Sequence, residues 1–266
     1  MEINYITEGK GEPLVLVHGI NTKIEAWNYQ ISYFKEKMNV ITLDNRGSGK
    51  SSRPNYPYAI DMYVEDLKKL LNHLNIYQKI HLCGISMGGF IALQYALKYP
   101  EEVKTLILCA TAAYYDPLGY EQRYKYYEEF VKMDIDQRIE SILPFLYSRS
   151  FRKKMREDEQ LFKKIKNDMN FITYYNDPPR YEDYINQLSA LKNYDVRDLL
   201  PNISQPSLIM VGKRDIVTPV KESELLHNKL PNSHLKVFNG VSHGFTIEIA
   251  NDVNETMWNF IQKHLD

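Results

Sequence analysis

The chain has little cysteine, no long apolar run and no surplus of either charge, and each shortage removes a class of function. Its two cysteines, Cys83 and Cys109, both lie inside apolar runs. With no Cys-x-x-Cys and no zinc-ligand spacing, they read as buried free thiols of a reducing compartment rather than a disulfide framework. No apolar stretch approaches the ~20 residues that a membrane helix needs. The opening residues, Met1-Glu2-Ile3-Asn4-Tyr5, lack the basic-then-apolar layout of a secretory signal, so the expectation is a cytoplasmic protein. Lys and Arg number 33 against 34 Asp and Glu, a net charge of −1. That balance gives no electrostatic reason to expect nucleic acid or a membrane as a partner. Internal repeats and low-complexity linkers are absent too. What remains, 266 residues of which 44% are hydrophobic, suits one large α/β domain or a core with an insertion.

Strand-like and helix-like patterns alternate through the first part. Residues 2–7 alternate apolar and polar, whereas 13–18, 39–43, 79–85 and 103–109 are nearly continuous apolar runs suited to buried strands. Between them the spacing predicts helices over 26–37 (through Trp27, Ile31, Phe34 and Met38), 60–74 and 87–98. Asp61 is the expected cap of the second. This rhythm predicts an α/β fold, a mostly parallel, doubly wound sheet of about seven or eight strands. Only one strand fits before Pro13. In such sheets, sites form at the carboxyl ends of the strands, where Gly19, Asp44, Ser86 and Thr111 fall. From 112 to about 195 no buried strand is evident, only helical and polar sequence with twelve tyrosines, among them Tyr115, Tyr127, Tyr174 and Tyr175. A structureless loop of that length is improbable, so several helices forming a cap are expected. The rhythm resumes with a strand over 206–211, a helix over 220–229, a strand over 235–238 and a closing helix over 247–264. The expected organisation is therefore a first core part at 1–111, a helical cap at 112–195 and a second core part at 196–266.

One stretch carries chemistry. Gly84-Ile85-Ser86-Met87-Gly88 follows an apolar run and opens a helix-like segment, matching the Gly-x-Ser-x-Gly nucleophile elbow. A serine on a sharp strand-to-helix turn sits in strained backbone, and the flanking glycines let neighbouring chain approach. The helix after it directs free N–H groups and a positive dipole end toward charge developing beside the serine. By contrast, Asp44 to Ser51 only imitates a phosphate-binding loop: the first glycine of that motif is replaced by Asp44, and Pro54 and Pro57 intervene before any helix. Asp44 and Arg46 are read as ties within a turn.

With His18-Gly19, the Asp44–Ser51 turn, the elbow, and an Asp and a His at later strand ends in that order, the chain resembles the α/β-hydrolases over nearly its whole length. The resemblance implies a Ser-His-Asp triad. Ser86 would be the nucleophile, His243 in Gly240-Val241-Ser242-His243-Gly244 the base, and Asp215 in Gly212-Lys213-Arg214-Asp215 the acid that orients it. Asp116 is the fallback acid, a position some relatives use. The implied oxyanion hole comprises the backbone N–H groups of Met87 and Ile20, with Asn21 an alternative to Ile20 because this chain has Ile20-Asn21-Thr22 where relatives often have Gly or Pro. No cofactor and no metal are implied. A serine at the elbow argues against relatives that place Asp there, the dehalogenases and epoxide hydrolases.

The implied reaction is hydrolysis of a small carboxylic ester or lactone through an acyl-enzyme, in a monomer or homodimer, with carboxylesterases and enol-lactonases as the similar enzymes. A carbon–carbon bond hydrolase, an acyl-carrier-protein esterase and a non-enzymatic small-molecule receptor are alternatives on the same scaffold. The basic run Arg149, Arg152, Lys153, Lys154 and Arg156 is the only hint of a carrier protein. Glu157, Asp158 and Glu159 follow at once, so it reads as a solvated, salt-bridged helix face.

Overall fold

The computed structural model describes residues 1–165 and 180–266. Tyr174 and Tyr175 lie outside the described residues. Seven strands among them form one sheet: β1 Tyr5–Glu8, β2 Pro13–Val17, β3 Asn39–Leu43, β4 Ile80–Ile85, β5 Val103–Cys109, β6 Ser207–Gly212 and β7 Ser233–Phe238. Their order is β1-β3-β2-β4-β5-β6-β7, all parallel except β1, which pairs antiparallel with β3 at the edge. The central strands are buried along their length, while β1 and β7 are only partly covered, as edge strands are.

Continuous apolar runs bury both faces of the sheet because successive side chains point to opposite sides. Val15, Val17, Leu82 and Leu106 pack on one side against Val64, Leu67 and Leu71 of α2 (Ile60–His73) and Phe90 and Leu93 of α3 (Met87–Lys98). Leu14, Leu16, Cys83 and Ile107 pack on the other. There they meet Ile31 and Phe34 of α1 (Asn28–Phe34), and Val253, Met257 and Phe260 of the last long helix. Each such fully buried side chain stabilises the fold by about 1.5–3 kcal/mol. Both thiols are buried, with Cys83 Sγ 4.0 Å from Cys109 Sγ.

Two local expectations need correction. Asp61 does not cap α2: the N-cap is Ala59, in extended backbone, and Asp61 already lies in the first turn. There its Oδ1 accepts from Gln94 Nε2 at 3.0 Å, so a tertiary contact takes the carboxylate that a cap would have used. The closing helix is also not continuous over 247–264. It divides at Ile249, whose φ of −130° and ψ of 47° are not helical.

Between β5 and β6 the chain forms α4 (Pro117–Phe130), α5 (Ile135–Leu146), α6 (Arg149–Glu157) and α7 (Tyr181–Ser189) among the described residues. Stacking of Tyr127 on Tyr184, with ring centroids 4.8 Å apart, joins α4 to α7. Lys153 and Glu157 pair at 3.7 Å across one turn of α6, on side chains that are mostly exposed. After β6 come α8 (Val220–Lys229), then, past β7, α9 (Phe245–Glu248) and α10 (Ala250–Ile261). No helix among the described residues is long and apolar enough to cross a membrane.

β2 lies between β3 and β4, so the crossover to β3 leaves in one direction and the next strand returns on the other side. This reversal opens a crevice between the carboxyl ends of β2 and β4, where sheets of this type bind ligands.

Candidate active site

Ser86 sits at that crevice, directly after β4. Its φ of 53° and ψ of −120° are strained for a residue with a side chain. Surrounding bonds hold it there. Its N–H donates to Cys109 O at 2.9 Å, and its carbonyl accepts from Thr111 Oγ1 at 2.8 Å and Gly89 N–H at 2.9 Å. The flanking glycines are needed for approach: a Cβ on Gly84 would lie 2.1 Å from Gly88 O, and one on Gly88 would lie 2.1 Å from Val17 O. No larger residue fits either place.

Asp215 follows β6 and His243 follows β7; both are buried, at 4% and 7% exposure. The two strands pair in register up to Gly212 and Phe238, which brings the loops together. His243 Nδ1 lies 2.8 Å from Asp215 Oδ2. Asp215 also accepts from the N–H groups of Val217 and Thr218 at 2.8 and 2.9 Å, and from Thr218 Oγ1 at 2.9 Å. Burial by itself would raise this carboxyl, but His243 and the Thr218 bonds outweigh it and hold it below the usual carboxylate value. An ionised Asp215 can only accept, so His243 donates its Nδ1–H to it and points Nε2 away from the carboxylate. Among the described residues the Ser86 hydroxyl has no hydrogen-bond partner, and no bond joins it to His243. Asp116 is elsewhere: it is exposed and starts α4 by accepting the Leu118 N–H at 3.2 Å.

The loop after β2 comes up beside Ser86, since a Cβ on Gly19 would lie 3.2 Å from Ser86 Cβ. His18 shapes this loop from below. Fully buried, it receives the Asn45 N–H on Nε2 at 3.0 Å, so its Nδ1–H donates to Gly19 O at 2.8 Å. Burial lowers its pKa and keeps it neutral. Asn21 has a φ of 55°, a left-handed conformation that Asn tolerates better than most residues. Its N–H donates to Gln187 Oε1 at 3.0 Å, and its Nδ2 donates to Tyr127 OH at 2.6 Å. The N–H groups of Ile20 and Met87, in contrast, have no acceptor among the described residues. Two further ties bind the inserted helices to the His243 loop: Gly244 N–H to Leu146 O at 2.7 Å, and Ser242 Oγ to Phe145 O at 3.3 Å.

The turn after β3 is structural, as its residues suggested. Asp44 accepts from Ile24 N–H, Lys50 N–H and Asn4 Nδ2 at 2.9, 2.9 and 2.7 Å. Arg46 forks onto Asp66 at 2.7 and 2.8 Å. Among the described residues no three His, Cys, Asp or Glu side chains converge as metal ligands.

Sequence reasoning missed Thr218 and Gln187. Thr218 stands three residues after Asp215, a spacing suited to a local side-chain turn, and could have been found from it. Gln187 gives little local signal, because three of its four hydrogen-bond partners lie far away in the chain.

A family model described as alpha/beta hydrolase fold matches residues 12–248. The 3-oxoadipate enol-lactonase 2 of Acinetobacter baylyi is 32% identical over 249 residues, covering 92% of this chain and 88% of that one. A thermophilic esterase from Thermogutta terrifontis, solved with malate bound, superposes with a TM-score of 0.85 at 29% identity, over 99% of this chain and 94% of its own. An esterase from Exiguobacterium antarcticum gives 0.82 at 26%, over 98% and 95%.

Proposed function

The chain belongs to the alpha/beta hydrolase fold family, and from that membership we propose that it is a serine hydrolase of small carboxylic esters or lactones. The observation that carries the reading is the buried Asp215–His243 pair, one edge of the sheet with a serine held in strained backbone. Strain of about 1–3 kcal/mol at one residue, on the same sheet edge as a histidine oriented by a buried carboxylate, supports chemistry rather than packing.

In the proposed reaction Ser86 Oγ attacks the carbonyl carbon while His243 Nε2 takes the hydroxyl proton. Asp215 stabilises the imidazolium and keeps its tautomer. The carbonyl oxygen becomes negative and is met by the N–H groups of Met87 and Ile20. Both lack an acceptor, whereas Asn21 N–H is occupied by Gln187, which favours Ile20 over Asn21 as the second donor. The carbon–oxygen bond to the alcohol then breaks, and the imidazolium returns its proton to the leaving oxygen. Water, deprotonated by His243, attacks the acyl-Ser86 ester and releases the acid and the free serine. In a lactone the two product ends stay joined in one hydroxy acid. The helices between β5 and β6 act as a cap, since Tyr127, Gln187, Phe145 and Leu146 hold the loops after β2 and β7. The curated lactonase and the solved esterases support the ester or lactone class.

A fluorophosphonate probe tests this reading. Labelling of the native protein on Ser86 is expected, with loss of labelling in Ser86→Ala and strong reduction in His243→Ala. An unlabelled native protein would remove the hydrolase reading.

A further inference from the structure

The loop that carries His243 is tied to the inserted helices on both sides of the histidine, and one further tie runs through a carboxylate. The last carbonyls of a helix have no partner within it, and the two at the end of α5 are taken by the neighbours of His243. Phe145 O receives Ser242 Oγ at 3.3 Å, and Leu146 O receives Gly244 N–H at 2.7 Å. The Tyr147 ring lies against the same place, since a Cβ on Gly244 would be 3.1 Å from its Cε1.

The further tie starts from Glu248. It stands on α9, the short helix that begins directly after Gly244, and its own N–H donates to Gly244 O at 3.1 Å. Its side chain reaches Ser148, the residue that caps the start of α6. Ser148 N–H donates to Glu248 Oε2 at 3.1 Å and Ser148 Oγ to Oε1 at 2.5 Å, while Ser148 Oγ accepts the Phe151 N–H at 3.1 Å. A Ser cap is often completed by Glu or Gln three residues later, whose side chain returns to the N–H of the cap. Helix α5 has such a local partner, Gln137 for Asp134. Helix α6 has Phe151 at that position, which offers no acceptor, and Glu248 supplies the carboxylate from a hundred residues away. Ser148 is buried and Glu248 half-buried, so water is a poor replacement for either bond. Burial pushes the Glu248 carboxyl up, and the two Ser148 bonds favour its ionised form.

We infer that Glu248 is a positioning residue for His243: by completing the start of α6 from the histidine's own loop, it locks the base and the inserted helices into one arrangement. This rests on the hydrolase reading above. Glu248 acts through the Gly244 turn and through Ser148, and makes no contact with substrate.

Steady-state hydrolysis of p-nitrophenyl acetate, well below the Tm of each variant, tests it. A reacting group displaced by about 1 Å can lose on the order of 100-fold in rate, so Glu248→Ala should lower kcat by ~10–100-fold with KM changed by less than ~3-fold. Both halves of the reaction use His243, so the loss appears whichever half is slower. Glu248→Gln keeps an acceptor for one Ser148 donor and should retain part of the rate. Ser148→Ala should also lower kcat, and should add little in a Glu248→Ala background, because the two residues act through one contact. A second arm needs no turnover. In protein with isotope-labelled histidine, the Nδ1–H resonance that disappears in His243→Ala should shift or broaden in Glu248→Ala. Thermal unfolding reports whether each variant is folded. Native kcat or a change in KM alone in folded Glu248→Ala, or full additivity with Ser148→Ala, would overturn the positioning role while labelling of Ser86 by the fluorophosphonate keeps the hydrolase. If the native protein is neither labelled nor active on the ester, the hydrolase reading falls, and the resonance alone decides: unchanged in folded Glu248→Ala, it overturns the positioning role.

Discussion

Gln187 offers the sharpest test of how the inserted helices support the site. It is fully buried on α7 and makes four hydrogen bonds. Its Oε1 accepts from Asn21 N–H and Ser48 Oγ, both at 3.0 Å, and its Nε2 donates to Gly47 O at 2.9 Å and Asp183 O at 3.2 Å. Replacing it with leucine keeps the bulk and removes all four. Asp183 O retains its place in the helix, but Asn21 N–H, Ser48 Oγ and Gly47 O lose a partner. An orphaned buried polar group costs about 1–3 kcal/mol. The Ser48 hydroxyl can rotate and Asn21 is only half-buried, so the sum expected for Gln187→Leu is about 2–5 kcal/mol. For a chain of this size that lowers Tm by roughly 5–15 °C. The effect on catalysis should be larger than stability alone explains. Asn21 N–H is the fixed point next to Ile20 N–H, the proposed oxyanion donor, and a donor that loses its position would stabilise the oxyanion less. Removal of such a donor outright lowers rates by about 100–1,000-fold, so a loosened one should lower kcat by ~10–100-fold with KM little changed. The assay is ester hydrolysis well below the variant's Tm, paired with urea unfolding. A folded Gln187→Leu enzyme with native kcat, or one changed only in KM, would refute the coupling of α7 to the Ile20 donor.

Two other predictions follow from the elbow and the acid. Ser86 is left-handed at φ 53°, a conformation natural to glycine, so Ser86→Gly should be at least as stable as Ser86→Ala in urea unfolding, by up to ~1 kcal/mol, although neither should hydrolyse esters if the proposal holds; a clearly less stable Ser86→Gly would show that the serine is not strained. Asp215 has a folded pKa below its ordinary 3.8. Its ionised form is thus favoured by folding, and its contribution is complete above about pH 4 and lost as pH falls through the lower native value. The stability difference between native protein and Asp215→Asn should stay level from pH 7 to about 5 and shrink below about pH 4. A difference that is constant down to pH 2 would contradict the assignment of the shift.

Much of the proposed site was legible because its signals are local. The spacing of Gly84, Ser86 and Gly88 encodes the close approaches of the elbow in five consecutive residues. The apolar runs before Ser86 and Asp215 marked these as strand-end positions, since strands buried on both faces are continuous in sequence, whereas the edge strand before His243 is only partly covered. Other details depended on contacts across the fold. Whether Ile20 or Asn21 is the freer donor was open in the sequence, because the answer is set by Gln187, which comes from a helix more than a hundred residues away. Asp61 had the right character for a cap, but Gln94 on the neighbouring helix takes its carboxylate. Ile249 breaks the last helix although its β-branched side chain disfavours helix only slightly.

The serine pathway has a direct signature in its first turnover. Rapid mixing of the protein with p-nitrophenyl acetate should release a burst of p-nitrophenolate close to one equivalent per chain. Digestion after acid quenching should recover an acetyl group on the peptide that contains Ser86. Linear release from the outset at a rate that Ser86→Ala leaves unchanged, with no acetylated peptide, would contradict a covalent role for Ser86.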